Sequence, residues 1–201
     1  MSSGVIDKRF AEWTDGLEKK EALLSVYRHI RDIPYAIIPE LRDPVKGPAG
    51  ILEQGKGSCV PKHFLLADMF TRLGIQVKFV TYPFKWDDPA IKYPPEIRKM
   101  VKILPITYHL ACKARIGSAW RLVDATWDIP LKRAGYPVNE DWDGRSDTKN
   151  AVTPMEEILH EDLDGRLSYE SSQKVRYTEK DKKAYEDFIP ALNSWLASLR
   201  R

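Results

Sequence analysis

The chain has 201 residues, 32 basic and 29 acidic, with a formal net charge of +3 and 43% hydrophobic residues. A balance this close to neutral gives no basic footprint for nucleic acid, no run of about 18 apolar residues offers a membrane span, and no early apolar run marks a leader. Two cysteines, Cys59 and Cys112, make no disulfide framework, so one domain (residues 1–201) in a reducing cytoplasm is expected.

In chain order, MSSGV reads as a loose terminus. From about Leu17 to Ile33, apolar residues at Leu23, Leu24, Tyr27, Ile30 and Ile33 keep helical spacing, and Pro34 marks the end. Residues 34–50 hold four prolines and two glycines and read as an ordered loop. A glycine-rich turn then leads into a helix from about Cys59 to Leu73, closed by Gly74. IQVKFVTY, 75–82, reads as a strand. Residues 85–105 form an excursion with one short helix near 95–102. ITYHLACKARI, 106–116, is a second strand, and AWRLVDAT, 119–126, a third, joined by a turn at Gly117 and Ser118. Residues 130–150 look irregular, 153–161 suits a short helix, and a C-terminal helix begins near Glu179 with Pro190 inside it. KDKK at 180–183 is a solvated face of that helix, because acidic residues flank it. Helices followed by closely connected strands indicate an α+β fold with an antiparallel sheet. GKGS lacks the spacing of a phosphate loop.

The chemistry concentrates at GKGSC. The first turn of a helix carries unpaired N–H groups and partial positive charge, which stabilise a thiolate and can hold an oxyanion. Gly55 and Gly57 permit positive φ and close backbone approach. A buried small hydrophobe is the bland alternative for Cys59. A thiol nucleophile needs a base. His29 and His160 lie among charged residues and read as surface groups. His109 begins HLACKARI, and pairing about the 117–118 turn sets it opposite roughly residue 126, within about one pair of Asp124. His63, four residues after Cys59 on the same helix face, is the competing base or half of a metal site. A base there would leave little room for substrate, and no further ligands stand at metal spacing.

GKGSCVPKHFLLADMFTRLGIQVKFV resembles the nucleophile segment of the transglutaminase-like superfamily, YHLACKARIGSAWRLVDATWD its histidine and W-x-x-[LV]-D-x-T strands, and VYRHIRDIPY its preceding helix. The resemblance covers roughly residues 20–128, in the manner of a microbial-type single domain, and leaves about 130–201 as a C-terminal extension. It implies a papain-like core, with the nucleophile helix packed on an antiparallel sheet between N- and C-terminal helices. It also implies a triad of Cys59 as nucleophile, His109 as base and acid, and Asp124 as orienting group. Gln54 is the candidate side-chain oxyanion donor. The sequence departs from the pattern at Leu110–Ala111 after the histidine and at Ala125 after the aspartate, positions that bear on substrate class.

The implied activity is cysteine-dependent hydrolysis of a peptide, isopeptide or similar amide, with transfer to an amine as a close variant. A peptide or protein amide is the expected partner, and no cofactor or metal is called for. A non-catalytic binding domain on the same fold and a metal protein using Cys59, His63 and His109 are the rivals. NEDWDGRSD, 139–147, partly echoes a calcium loop through Asp141, Asp143 and Asp147, but it lacks a third alternating ligand and the terminal glutamate and reads as a turn or lid. Trp86, Trp127 and Trp142 are candidates for a cleft wall or for core packing.

Overall fold

The computed structural model describes residues 2–201. Its helices are α1 (Ser2–Thr14), α2 (Lys19–Asp32), α3 (Gly47–Gln54), α4 (Cys59–Arg72), α5 (Pro95–Val101), α6 (Leu163–Lys174) and α7 (Glu179–Ser198). The strands are β1 (Val77–Phe84), β2 (Thr107–Ile116), β3 (Ala119–Val123) and β4 (Ile158–His160), antiparallel throughout in the order β3-β2-β1-β4. The fold is therefore α+β, with the cysteine helix packed on an antiparallel sheet and helices at both chain ends.

Several elements differ from the sequence expectation. The terminus expected to be loose is helical from Ser2, because Ile6, Phe10 and Trp13 repeat at helical spacing and pack on the core shared with α2. The loop expected over 34–50 contains a 3₁₀ turn, Pro39–Arg42, and the start of α3, whose Pro48 lies in the first turn, where a missing N–H leaves no bond unmade. The short helix expected over 153–161 is instead β4, which adds to the free edge of β1 through Phe79, Val80 and Thr81. Asp162 then caps α6 by accepting a bond from Gly165 N at 2.8 Å.

Two large apolar clusters make up most of the interior of the described residues, with two small ones beside them. One lies between α2, α4 and the sheet, with Val26, Tyr27, Ile30, Leu66, Met69, Phe70, Cys112 and Val123 buried in it. The other packs Phe188, Leu192 and Leu196 of α7 against Phe84, Trp86, Trp127 and Tyr136. Trp142 belongs to the first, its ring 4.5 Å from that of Tyr27. The N-terminus of α4 sits at the seam between them.

That seam is tied by buried polar bonds. Lys62 is wholly buried, and its Nζ donates to Arg31 O and Thr126 O, each at 2.8 Å, joining the end of α2 to the segment after β3. Burial lowers its pKa to about 7. The Asp128 carboxylate accepts from Tyr35 N at 2.8 Å and from Arg200 Nε and Nη2, both at 2.7 Å, while Arg200 Nη2 also reaches Tyr35 O at 3.0 Å. The chain's C-terminus thereby fixes Tyr35 from both sides. No helix of the described residues is long and apolar enough to cross a membrane.

Arg200→Ala would leave the 2%-exposed Asp128 without its charged partner. A loss of about 2–4 kcal/mol is expected from urea unfolding. A change below roughly 0.5 kcal/mol, the level of an ordinary surface substitution, would remove this clamp from the account.

Candidate active site

Cys59 is the first residue of α4. The first bond of the helix runs from Lys62 N to Ser58 O at 3.3 Å. The N–H groups of Cys59 and Val60 lie ahead of the helix ladder, and Pro61 has none to offer. These two amides are the donors that the helix end presents beside the thiol.

The glycines before Cys59 have separate tasks. Gly55 ends α3 at φ 65°, a left-handed cap that favours glycine. Gly57 pairs with Tyr35, and a Cβ there would stand 2.5 Å from Ile51 Cγ2. Its close approach is therefore to the protein's own α3.

The second member comes from the middle of the sheet. His109 is 2% exposed on β2, and its Nε2 donates to Asp124 Oδ2 at 2.8 Å. This leaves the other ring nitrogen for the thiol: His109 and Cys59 line the same small space, and the His109 ring and the Leu110 amide both favour the ionised sulfur. Cys59, His109 and Asp124 thus form one continuous line, and all three are buried. The hairpin register follows the expected sum, with Ile116 opposite Ala119 and Cys112 opposite Val123. The ladder stops at Val123, earlier than the expected residue 126, because the next three amides are used elsewhere. Asp124 N donates to Thr148 Oγ1, Ala125 N to His63 Nε2, and Thr126 N to Asp124 Oδ1.

Asp124 is a hub. Oδ2 accepts from His109 and from Ala151 N at 2.8 Å, and Oδ1 accepts from Thr126 N at 3.1 Å and Thr126 Oγ1 at 2.6 Å. Its carbonyl accepts from Tyr27 OH at 3.0 Å. Thr126, Thr148 and Ala151 were not singled out from sequence. Ala151 contributes only a backbone N–H, which has no sequence signature; Thr126 stood in the D-x-T motif without an assigned part.

Burial opposes charge on every member of the line, and the neighbours overrule it. For Cys59, burial pushes the thiol up; the bond from His109, its positive charge, the Leu110 amide and the Arg42 charge bring it below the ordinary thiol value. For His109, burial pushes down, but the Asp124 carboxylate and the thiol raise the ring to about 10. For Asp124, burial pushes up and the two histidines and Thr126 hold the carboxyl well below the usual carboxylate range. The arrangement favours imidazolium and carboxylate together at neutral pH and draws the thiol toward its ionised form.

Both ring nitrogens of His63 are engaged by the backbone. Its Nδ1 donates to Cys59 O at 2.8 Å, and its Nε2 accepts from Ala125 N at 3.1 Å. Those partners fix one neutral tautomer. Burial lowers its pKa to about 4, more than the nearby Asp124 charge can offset. It ties the carbonyl of Cys59 to the segment that carries Asp124, and its ring lone pair is already used.

The remaining candidates are placed as follows. Gln54 is exposed at the end of α3 and does not line the space over the thiol; the helix that the sequence reading missed turns it outward, a correction to its candidacy as oxyanion donor. Cys112 is buried in β2, its Sγ on His63 O at 3.4 Å. His29 is exposed and stacks on Trp13, whereas His160, expected at the surface, is buried and bonded to Thr81 Oγ1 at 2.9 Å. Asp143 is engaged by Arg145 N and by Ser146 N and Oγ, each at 2.8 Å, and Asp147 by Leu122 N at 2.7 Å, so this segment is a self-capped turn.

The space above Cys59 is only about 20 Å³, bounded by Tyr35, Arg42, Trp86, Trp127 and Tyr185. Arg42 donates to Glu170 Oε1 at 2.6 Å, and the wholly buried Arg166 pairs with Glu170 Oε2 at 3.0 Å. Two guanidinium groups thus share one carboxylate near the thiol. A cavity of about 250 Å³ and another of about 390 Å³ adjoin this space.

No sequence-family profile and no curated protein matches the chain. Among solved structures it is similar to a candidate cysteine protease from Cytophaga hutchinsonii (18% identity, TM-score 0.43, 65% of this chain and 39% of that one). It is also similar to a TGase (14% identity, TM-score 0.43, 65% of this chain and 33% of that one). The match thus spans well under half of either structure's length.

At pH 7, iodoacetamide is expected to alkylate Cys59 at least about tenfold faster than Cys112, whose thiol burial pushes well up. Peptide mapping after brief labelling measures this. His109→Ala should shift the pH midpoint of Cys59 alkylation upward, since a bond to the thiolate and a positive charge are lost. An unmoved midpoint would uncouple His109 from the thiol.

Proposed function

We propose that the protein is a transglutaminase-like cysteine enzyme that hydrolyses an amide bond of a peptide or protein. The observation supporting this most strongly is the buried line of Cys59, His109 and Asp124, in which each contact stabilises the charged form of the next. The thiolate attacks the amide carbonyl, and the oxyanion is placed against the amides at the start of α4. His109 gives its proton to the leaving amine as the C–N bond breaks, leaving an acyl-thioester on Cys59. The ring then takes a proton from water as the water attacks the thioester. The carboxylic acid leaves, and thiolate and imidazolium are restored. Asp124 holds the ring's orientation and supports its charge without accepting the proton. An amine in place of water would give acyl transfer through the same intermediate. The scheme uses the chain's own groups, and its free thiols suit a reducing compartment such as the cytoplasm.

The test is an amide and peptide panel, followed for product and for acyl adducts on Cys59 by mass spectrometry. Cys59→Ala and His109→Ala are expected to abolish turnover, and His63→Ala to retain some with reduced stability. Asp124→Asn should lower turnover by roughly 10²–10³-fold, less than the loss in a serine triad because some thiolate exists without help. It should also destabilise the fold, because the amide NH₂ must face donors that now meet an oxygen. A dead His63→Ala beside an active His109→Ala would reverse the assignment of the base. Folded protein without turnover or adduct on any amide would favour the binding-domain reading.

A further inference from the structure

The cavity of about 250 Å³ beside the thiol has walls that the mechanism does not use. Phe84, Trp86, Trp127 and Val152 line both it and the space over Cys59, so the two adjoin. Tyr93, Tyr136 and Ile91 extend this aromatic and apolar wall, and Lys85, Asp88, Asn150 and Thr153 add polar groups. Two buried donors on this lining lack a well-formed acceptor, the Trp86 indole N–H and the Tyr136 hydroxyl. The Tyr185 hydroxyl, which borders the space over Cys59, stands near the first, and the Tyr93 hydroxyl near the second. Buried donors are normally paired, so each marks a place where a ligand supplies an oxygen. By contrast, the Trp127 indole N–H is spent on Ala151 O at 2.7 Å.

We infer that this cavity is the specificity pocket for an uncharged aromatic side chain on the acyl side of the scissile amide. This deepens the hydrolase reading and rests on it. Size sets the occupant: an apolar cavity of roughly 150 Å³ suffices for benzene, so this one holds a single ring with its linker. Position sets the side. Thr107 and Tyr108 of β2, the strand that carries His109, line the 390 Å³ cavity and not this one. The leaving amine must lie toward His109 to receive its proton, which sets the acyl part over the Trp86–Trp127 wall. The substrate's own backbone carbonyl is the oxygen that Trp86 awaits. Lys85 and Asp88 carry opposite charges on the same lining, so the cavity offers no net charge to draw in an ionic side chain.

The experiment compares alkylation of Cys59 by N-acetyl-phenylalanyl and N-acetyl-alanyl chloromethyl ketones, each rate divided by that of iodoacetamide on the same protein. The phenylalanyl reagent is expected to react about 10–100-fold faster. Ala90→Phe, which places a ring in the cavity from its exposed edge, should remove most of that preference. Equal normalised rates in the wild type would overturn the pocket while leaving the nucleophile intact. If Cys59 reacts with none of the three reagents, the hydrolase reading fails, and the pocket is judged alone. In that case N-acetyl-phenylalaninamide should saturably change the tryptophan fluorescence of Cys59→Ala and N-acetyl-alaninamide should not. No difference between them would overturn the inference.

Discussion

The carboxylate of Asp124 is the group on which the rest of this structure depends. It is wholly enclosed, and an enclosed charge survives only with nearly every lone pair engaged. Two oxygens take four donors here, from His109, Ala151 and both polar groups of Thr126. Meeting that demand shapes the chain around it. β3 leaves the ladder after Val123 so that three consecutive amides serve the site, and the segment near 148–151 folds back to supply Thr148 and Ala151. The histidine is consequently held by an anion that can neither move nor take a proton at neutral pH.

From that anchor the charges alternate outward. Carboxylate fixes imidazolium, imidazolium fixes thiolate, and the Arg42–Glu170–Arg166 group stands near the thiol. His63 and Lys62, adjacent on α4, use their side chains to fasten the helix to the strand end that bears Asp124. Cys59 lies in a small apolar group of its own with Val60, Phe64 and Leu110, beside the larger clusters. The cavities that flank it are lined from the second cluster, with the aromatic wall on one side and Arg42 and Tyr108 on the other. Little room exists directly above the sulfur, which limits the solvent that can compete with its partners.

The placement of Cys59, His109 and Asp124 beside one another was legible because each position is fixed by local rules. A cysteine after glycines at a helix start, and a hairpin whose two-residue turn sets its register, place Cys59, His109 and Asp124 with little ambiguity. What was illegible depends on contacts distant in sequence. Ala151 acts through a backbone N–H, which any residue but proline would offer. α3 was hidden by its glycines and proline, and with it the outward direction of Gln54. β4 has three residues and exists only because β1 had a free edge to pair. The role of His63 required knowing that Ala125 would turn its amide inward. α1 is different: Ile6, Phe10 and Trp13 carry the helical spacing in the sequence itself, so its signal was present from the start.

The most direct measurement is the protonation state of the His109 ring by ¹⁵N NMR on histidine-labelled protein, assigned with His63 and His109 variants. The account predicts that both ring nitrogens of His109 carry protons at pH 7 and that the charge is lost only well above neutrality. Cys59→Ala should lower that titration, and His63 should stay neutral with its proton on Nδ1. A His109 ring that is neutral at pH 7, with the imidazolium on His63 instead, would contradict the charge line from Asp124 to the thiol.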